Sequence, residues 1–395
     1  IFEFWLMRNP ETSFMIVLLC LIFISIHSCK EKYWPELDKY EDILVVDGMI
    51  TNEPGPYTIK LSLSAPVDSA EIIPYPNCQL VISDNVGNTE HLTETEPGVY
   101  MTSSDGIQGD VGRKYKLQII TPEGNTYESA LEELRAPIGI DSVYGIIEYR
   151  QDENFTYDLV GYQFYLDTEM AEQDTNYFLW RAEATYHYQS DFTIRWYYDG
   201  KLNWFHGPDS LYNCWKSYKI ARIFTGSTQS LNTPKIDKYA LHYVNTETRQ
   251  LSNKYSLFVR QFAISEIAYK FWNGIEEQSS EQGSLYETQP FQISGNVYNV
   301  DNAAEPVLGY FMVAGITEKR IFMDRPPDDI PFHYNVCELD NGDFHSYGQL
   351  AMADPVFYPI YAIETPGGRR AVPSQDCVDC RRKGGTITKP DFWID

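Results

Sequence analysis

Long apolar runs are almost missing from this chain of 395 residues. The longest nearly apolar run, "FMIVLLCLIFISI" from Phe14 to Ile26, has thirteen residues and no charge. As a helix it would reach about 20 Å, short of a hydrocarbon core of about 30 Å, so no permanent membrane-spanning helix is expected. Cations are scarce as well: 31 Lys and Arg stand against 56 Asp and Glu, a net charge of -25. A field of that sign repels nucleic acid, which is excluded as a partner. The 7 histidines never fall at His-x-x-x-His or His-Glu-x-x-His spacing, which argues against a metalloenzyme. Gly-x-Ser-x-Gly, a phosphate-cradling glycine loop and a dinucleotide fingerprint are also missing, so the usual sequence marks of an enzyme do not occur. No cofactor and no metal are expected.

What is present begins at the amino terminus. Residues before Met7 read as sequence upstream of the natural start, and Arg8 supplies the positive end of a secretory signal whose apolar region is the run from Phe14 to Ile26. The run ends "Ile26-His27-Ser28-Cys29", with a small residue directly before a cysteine. That resembles a bacterial lipoprotein signal, in which the cysteine is acylated (a palmitate among its chains) and becomes the first residue after cleavage. Cys29 is therefore the expected lipidation site, residues 1–28 the upstream segment and signal, and 29–42 a charged tether. Several acyl chains on one residue give stable attachment. Lys30 after the cysteine favours the outer membrane, and the Lys-Glu-Lys run faintly resembles surface-export signals.

From Ile43 onward the pattern is β. The stretches 43–51, 57–65, 78–84, 98–103 and 114–131 are rich in β-branched and aromatic residues, with Gly, Pro, Asn and Asp at the breaks. Tyr57, Ile59, Leu61 and Leu63 alternate with polar residues, the mark of a strand with one face on a core. Residues 43–135 are predicted to form an immunoglobulin-like β-sandwich. Residues 136–395 are predicted to be a larger β-rich domain, with aromatic strands at 161–167, 176–188 and 193–205. One helix is predicted over about 265–281, where Ile267, Ala268, Phe271, Trp272 and Ile275 recur at helical spacing and Ser265 stands at the cap. Prolines and glycines make 324–332 and the tail after Tyr358 read as irregular. The fold class is thus mainly β.

Seven cysteines are present. Cys20 lies in the signal and Cys29 is assigned to lipid. In an oxidising envelope the remainder read as structural disulfides, with Cys214 and Cys337 pairing with Cys377 and Cys380 in an order the sequence leaves open. Cys78, in a strand pattern, reads as a buried free thiol. The segment 185–208 gathers ring side chains, and Trp196, Tyr198 and Trp204 are candidates for an aromatic binding surface, although alternate rings equally fill a sheet face.

Three blocks in order along the chain, "PELDKYEDILVVDGMITNEPGPYTIKLSLSAPV", "SEIAYKFWNGIEEQSSEQGSLYETQPFQISGNVYNVDNAAEPVLGYF" and "CVDCRRKGGTITKPDFW", resemble the domain of unknown function 4249 family of Bacteroidetes envelope lipoproteins. The resemblance implies lipidation at Cys29, a structural tail motif at Cys377, Cys380 and Trp393, attachment to the outer membrane, and company with a TonB-dependent β-barrel transporter. It implies no catalytic residues. The expected function is a non-enzymatic binding or accessory protein in nutrient uptake. The alternatives are a structural or assembly component of the envelope and, behind it, a glycan- or peptide-degrading enzyme.

Overall fold

The first strands form where the alternation is clearest. In the computed structural model, which describes residues 42–65, 72–169, 176–229, 231, 233, 235–281, 293–344 and 347–394, β1 (Leu44–Thr51) and β2 (Thr58–Leu63) pair antiparallel, Val46 opposite Leu61. The signal, Cys29 and nearly all of the 29–42 tether lie outside the described residues. The chain continues through β3 (Ile73–Pro74), β4 (Gln79–Asp84), β5 (Thr89–His91), β6 (Thr93–Glu96), β7 (Val99–Met101), β8 (Lys114–Ile120), β9 (Thr126–Ser129) and β10 (Glu132–Glu133). One sheet carries the order β1-β2-β7-β6 and a second the order β9-β8-β4-β5. Their inner residues, among them Val46, Ile59, Ile82, Tyr100, Tyr115 and Leu117, share one core. Ile59 and Leu61 alternate with exposed Lys60 and half-buried Ser62 because successive side chains of a strand leave opposite faces.

The second half supplies β11 (Ser142–Arg150), β12 (Leu159–Glu169), β13 (Tyr177–Gln189), β14 (Trp196–Tyr198), β15 (Leu202–Trp204), β16 (Asn213–Lys219), β17 (Phe224–Ser227), β18 (Lys235–Asn245) and β19 (Lys254–Ile264). After helix α1 (Glu266–Glu281) come β20 (Val297–Asn299), β21 (Leu308–Asp324), β22 (Ile360–Glu364) and β23 (Arg370–Ala371). The chain is therefore mainly β, and the described residues hold one long helix and a short helical turn at Tyr347–Ala351.

Strand β21 joins the two halves. Its first residues run parallel to β1, Val45 beside Leu308 through Thr51 beside Ala314. Its later residues run antiparallel to β19. The expected segments 43–135 and 136–395 thus share one sheet, of order β16-β13-β19-β21-β1-β2-β7-β6, and Ile43–Asp395 forms one compact unit. The approach is close at Gly309, whose φ is +84° and where a Cβ would stand 1.9 Å from the Val46 carbonyl oxygen. Only glycine fits there. A buried polar knot fastens the same junction. Glu132 accepts hydrogen bonds from Ser265 Oγ at 3.1 Å, Asn296 Nδ2 at 3.0 Å and the Tyr310 hydroxyl. Burial pushes the Glu132 carboxyl above its ordinary pKa against the pull of those donors.

The central strands β16, β13, β19 and β21 have two covered faces. On the inner one, Phe178, Trp180, Leu257 and Val259 meet Phe164, Leu166 and Leu241 of the β11-β12-β18 sheet. On the outer one, α1 lays Ala268 and Phe271 on Leu179, Phe262 and Met312. Ser265 Oγ accepts from the Ala268 amide at 3.1 Å and caps the helix as expected. Ile267 departs from the predicted stripe and is exposed. At ~100° per residue it lies about a quarter-turn from the line through Ala268, Phe271 and Ile275.

The tail departs from its irregular reading. Ile360–Glu364 is a strand that pairs with β14 and β23, and two 3-10 turns follow at Gln375–Cys377 and Cys380–Lys383. Long-range pairing supplies the hydrogen bonds here, which local composition does not report.

Candidate functional site

The strand register writes the outer face of the central sheet as a series of rows. Two apolar rows, containing Tyr177 and Leu179 with Phe262 and Ile316, lie under α1. The next row is charged: Arg181 stands opposite Arg260, and Arg260 opposite Glu318. The following row reads Lys219, Glu183, Phe258, Arg320. Beyond it come Ser217, Thr185, Ser256 and Phe322, then Trp215, His187, Lys254 and Asp324. The tail covers that far end, with Phe392 under the Arg320 guanidinium at 3.6 Å and Trp393 against Phe322 at 5.4 Å.

Between helix and tail the charged rows floor an open cleft of about 580 Å³. Glu53, Pro54, Pro56 and Tyr57, from the β1–β2 connection, form one wall. The β16–β17 connection, Ile220 to Ile223, forms another. The Ile220 amide donates to the Ala182 carbonyl at 2.9 Å and holds that connection on β13. Four cations, Arg181, Lys219, Arg222 and Arg260, line the cleft against two acids, Glu53 and Glu183. This reverses the sign of the chain as a whole.

The cations differ in what they already hold. Arg260 Nε meets Glu318 at 2.8 Å. Arg222 meets Glu276 loosely at 3.6 Å, and Glu276 also accepts from the Thr225 amide and hydroxyl at 2.9 and 2.8 Å. Arg181 forms no ion pair and no hydrogen bond among the described residues. Its guanidinium lies 5.1 Å from the centre of the Trp272 ring, and the Trp272 indole N–H is buried without an acceptor among the described residues. Burial lowers the pKa of Arg181, Asp47 opposes that effect and Arg260 adds to it. The guanidinium stays charged at any pH of interest.

The residues singled out by the sequence sit elsewhere. Trp196 and Trp204 face each other across β14 and β15 with ring centres 5.5 Å apart. Trp196 is only 9% and Tyr198 3% exposed, whereas Trp204 is 52% exposed. The proposed aromatic surface is thus corrected to Trp204 alone, because residues of the tail cover the other two rings, Arg370 lying over Trp196 at 5.0 Å. Tyr198 packs edge-on against Tyr358 of the tail at 5.4 Å.

Four cysteines form two bridges, Cys214–Cys380 and Cys337–Cys377. Around them the tail is fixed by polar contacts: the Tyr188 hydroxyl donates to the Cys380 carbonyl at 2.6 Å, and Asp191 accepts from Arg249 at 2.7 Å and Lys383 at 2.9 Å. Asp191 lies within ligand distance of Cys337 and Cys377, but both sulfurs are committed to their bridge. Cys78 is buried and unpaired, and burial pushes its thiol to about 11. At neutral pH it is a packing group, not a nucleophile.

The cleft residues were missed by reading 176–188 only as an aromatic strand. The signal was available: "FLWRAEAT" places Arg181 and Glu183 two apart, where alternation otherwise calls for apolar groups. Their neighbours across the sheet are 79 and 36 positions away, Arg260 and Lys219, and register alone brings them together.

No curated protein matches the chain significantly. Residues 30–320 match the family described as domain of unknown function (DUF4249), and the chain belongs to that family.

Proposed function

We propose that the protein is a non-enzymatic, lipid-anchored binding or accessory protein of the outer membrane, working beside a TonB-dependent β-barrel transporter in nutrient uptake. The observation that supports the binding role is the cleft, open to solvent and walled by both halves of the chain, with one guanidinium uncommitted in its floor. Its size falls within the range of small-molecule sites. Glu132 and Asp209, by contrast, are engaged in architecture: Glu132 in the junction, and Asp209 accepting from the Ile194 and Leu211 amides at 2.7 and 2.9 Å. The anchor rests on the signal ending at Cys29 and on the company the family resemblance implies. We also read residues 43–135 as an immunoglobulin-like module. The orders β1-β2-β7-β6 and β9-β8-β4-β5 support this, corresponding to A-B-E-D and G-F-C-C′.

Affinity purification from detergent-solubilised outer membranes tests the role. A β-barrel transporter co-purifying in near-equal amount is the expected result, and recovery of the protein without any barrel overturns it. Mass spectrometry of the mature amino-terminal peptide tests the anchor, with acylated Cys29 expected.

A further inference from the structure

Building on the binding-protein reading, we infer that the cleft takes a monovalent organic anion, a carboxylate carried on an apolar body, with the Arg181 guanidinium as its partner.

Four observations converge on this ligand class. First, Arg181 and Arg260 occupy directly opposed positions on neighbouring strands, and like charges so placed destabilise a sheet. Glu318 neutralises Arg260, while Arg181 has no ion-pair partner among the described residues and feels only the longer-range pull of Asp47. An anion between the walls would supply that missing charge. Second, the Arg181 guanidinium lies 5.1 Å from the centre of the Trp272 ring, a cation–π contact that steadies the cation without supplying an acceptor for its N–H groups.

Third, Met49, Ile220, Ile223, Phe262 and Ile316 give the cleft apolar walls against the charged floor. They suit a ligand with a hydrocarbon part next to its charge. Fourth, Glu53 and Glu183 also line the cleft. With Arg260 and Arg222 already held by Glu318 and Glu276, the charges left to a ligand are Arg181 and Lys219 against Glu53 and Glu183, a balance with no surplus cation for a dianion. A carboxylate suits that balance and the planar guanidinium fork, which can bind it through two parallel N–H···O bonds.

Hippurate, a benzoyl group joined to a glycine carboxylate, is a suitable probe, with hippuramide as its uncharged isostere and inorganic phosphate as the charge control. Titration calorimetry of the purified protein should give saturable hippurate binding with one site per chain. Hippuramide and phosphate should bind at least about tenfold more weakly, the worth of one charge-assisted contact. Arg181→Gln should weaken hippurate binding by about tenfold or more and leave hippuramide unaffected. Lys219→Glu, at an exposed position, should weaken hippurate a few-fold and tests the site even if the first variant does not fold.

Hippurate binding weaker than about 10 mM, equal binding of hippuramide or phosphate, or wild-type affinity in Arg181→Gln would each overturn the inference. A barrel partner that co-purifies while hippurate fails removes this site but keeps the accessory role. Hippurate binding without a barrel partner does the reverse.

Discussion

The two ends of the central sheet's outer face are covered in opposite ways. One end lies beneath a regular amphipathic helix, where Phe271 and Ala268 seal apolar rows of β13, β19 and β21. The other lies beneath an irregular tail, held by two disulfides, by Asp191 with its two cations, and by Trp393. Helix packing needs only a stripe of apolar side chains. A tail without a repeating pattern must be fixed point by point, and covalent bridges do that in an oxidising compartment. The cleft lies where the two covers stop.

The largest test of this contrast removes a bridge. Cys214 and Cys380 are 166 residues apart, and closing a loop of that length restricts the unfolded chain by about 5 kcal/mol in the entropic model. Replacing both with Ala should lower stability by a comparable amount in denaturant titrations. If the tail is an independent appendage, the main transition will not move.

At the other end, Phe271→Ala should cost about 3 to 5 kcal/mol, the usual range for a phenylalanine removed from a packed core. A loss under about 1 kcal/mol would mean that α1 does not seal the sheet.

A smaller, pH-dependent effect concerns the start of the same helix, where Glu132 meets Ser265. The native carboxyl has a raised pKa, so the folded state binds more protons than the unfolded one between the ordinary value of 4.5 and the raised value. Its contribution is fully present below 4.5 and declines as pH rises through that window. Wild type should therefore lose stability relative to Glu132→Gln as pH increases, by at most about 1.4 kcal/mol per pH unit. Parallel stability curves for the two proteins would contradict the assignment.

The smallest expected change has the opposite sign. Arg181→Gln removes one of two opposed like charges and should stabilise the unliganded protein by a few tenths to about 1 kcal/mol, read as a higher melting temperature. Destabilisation would show that Arg181 serves the fold, and that the uncovered strip is structural like its neighbours.

Much of the architecture was legible locally. Alternation marked β2, richness in β-branched and aromatic residues marked β1 and β13, the 3.6-residue period and Ser265 marked α1, and setting Cys20 and Cys29 aside left five cysteines, with Cys78 the odd one. These signals work because strand and helix periodicities follow from backbone geometry within a few residues. The tail strand at Ile360–Glu364 was illegible because its partner β14 is more than 150 residues earlier. Trp196 and Tyr198 misled for the same reason, since a ring that could face a ligand or a core is assigned by the tail residues that cover it.

Sequence alone determined that the chain is mainly β, acidic, helix-poor and furnished with cysteines for a tied tail, because composition and short-range period carry those properties. Only the tertiary structure decided which cysteines join, that β21 unites the halves, and that Arg181 and Arg260 meet face to face. Register sets those outcomes. A shift of one residue along β13 would turn Arg181 into the core and Trp180 out to the cleft, and nothing local in either strand specifies it. The choice follows from burying Trp180, Phe178 and Leu257 together on the inner face.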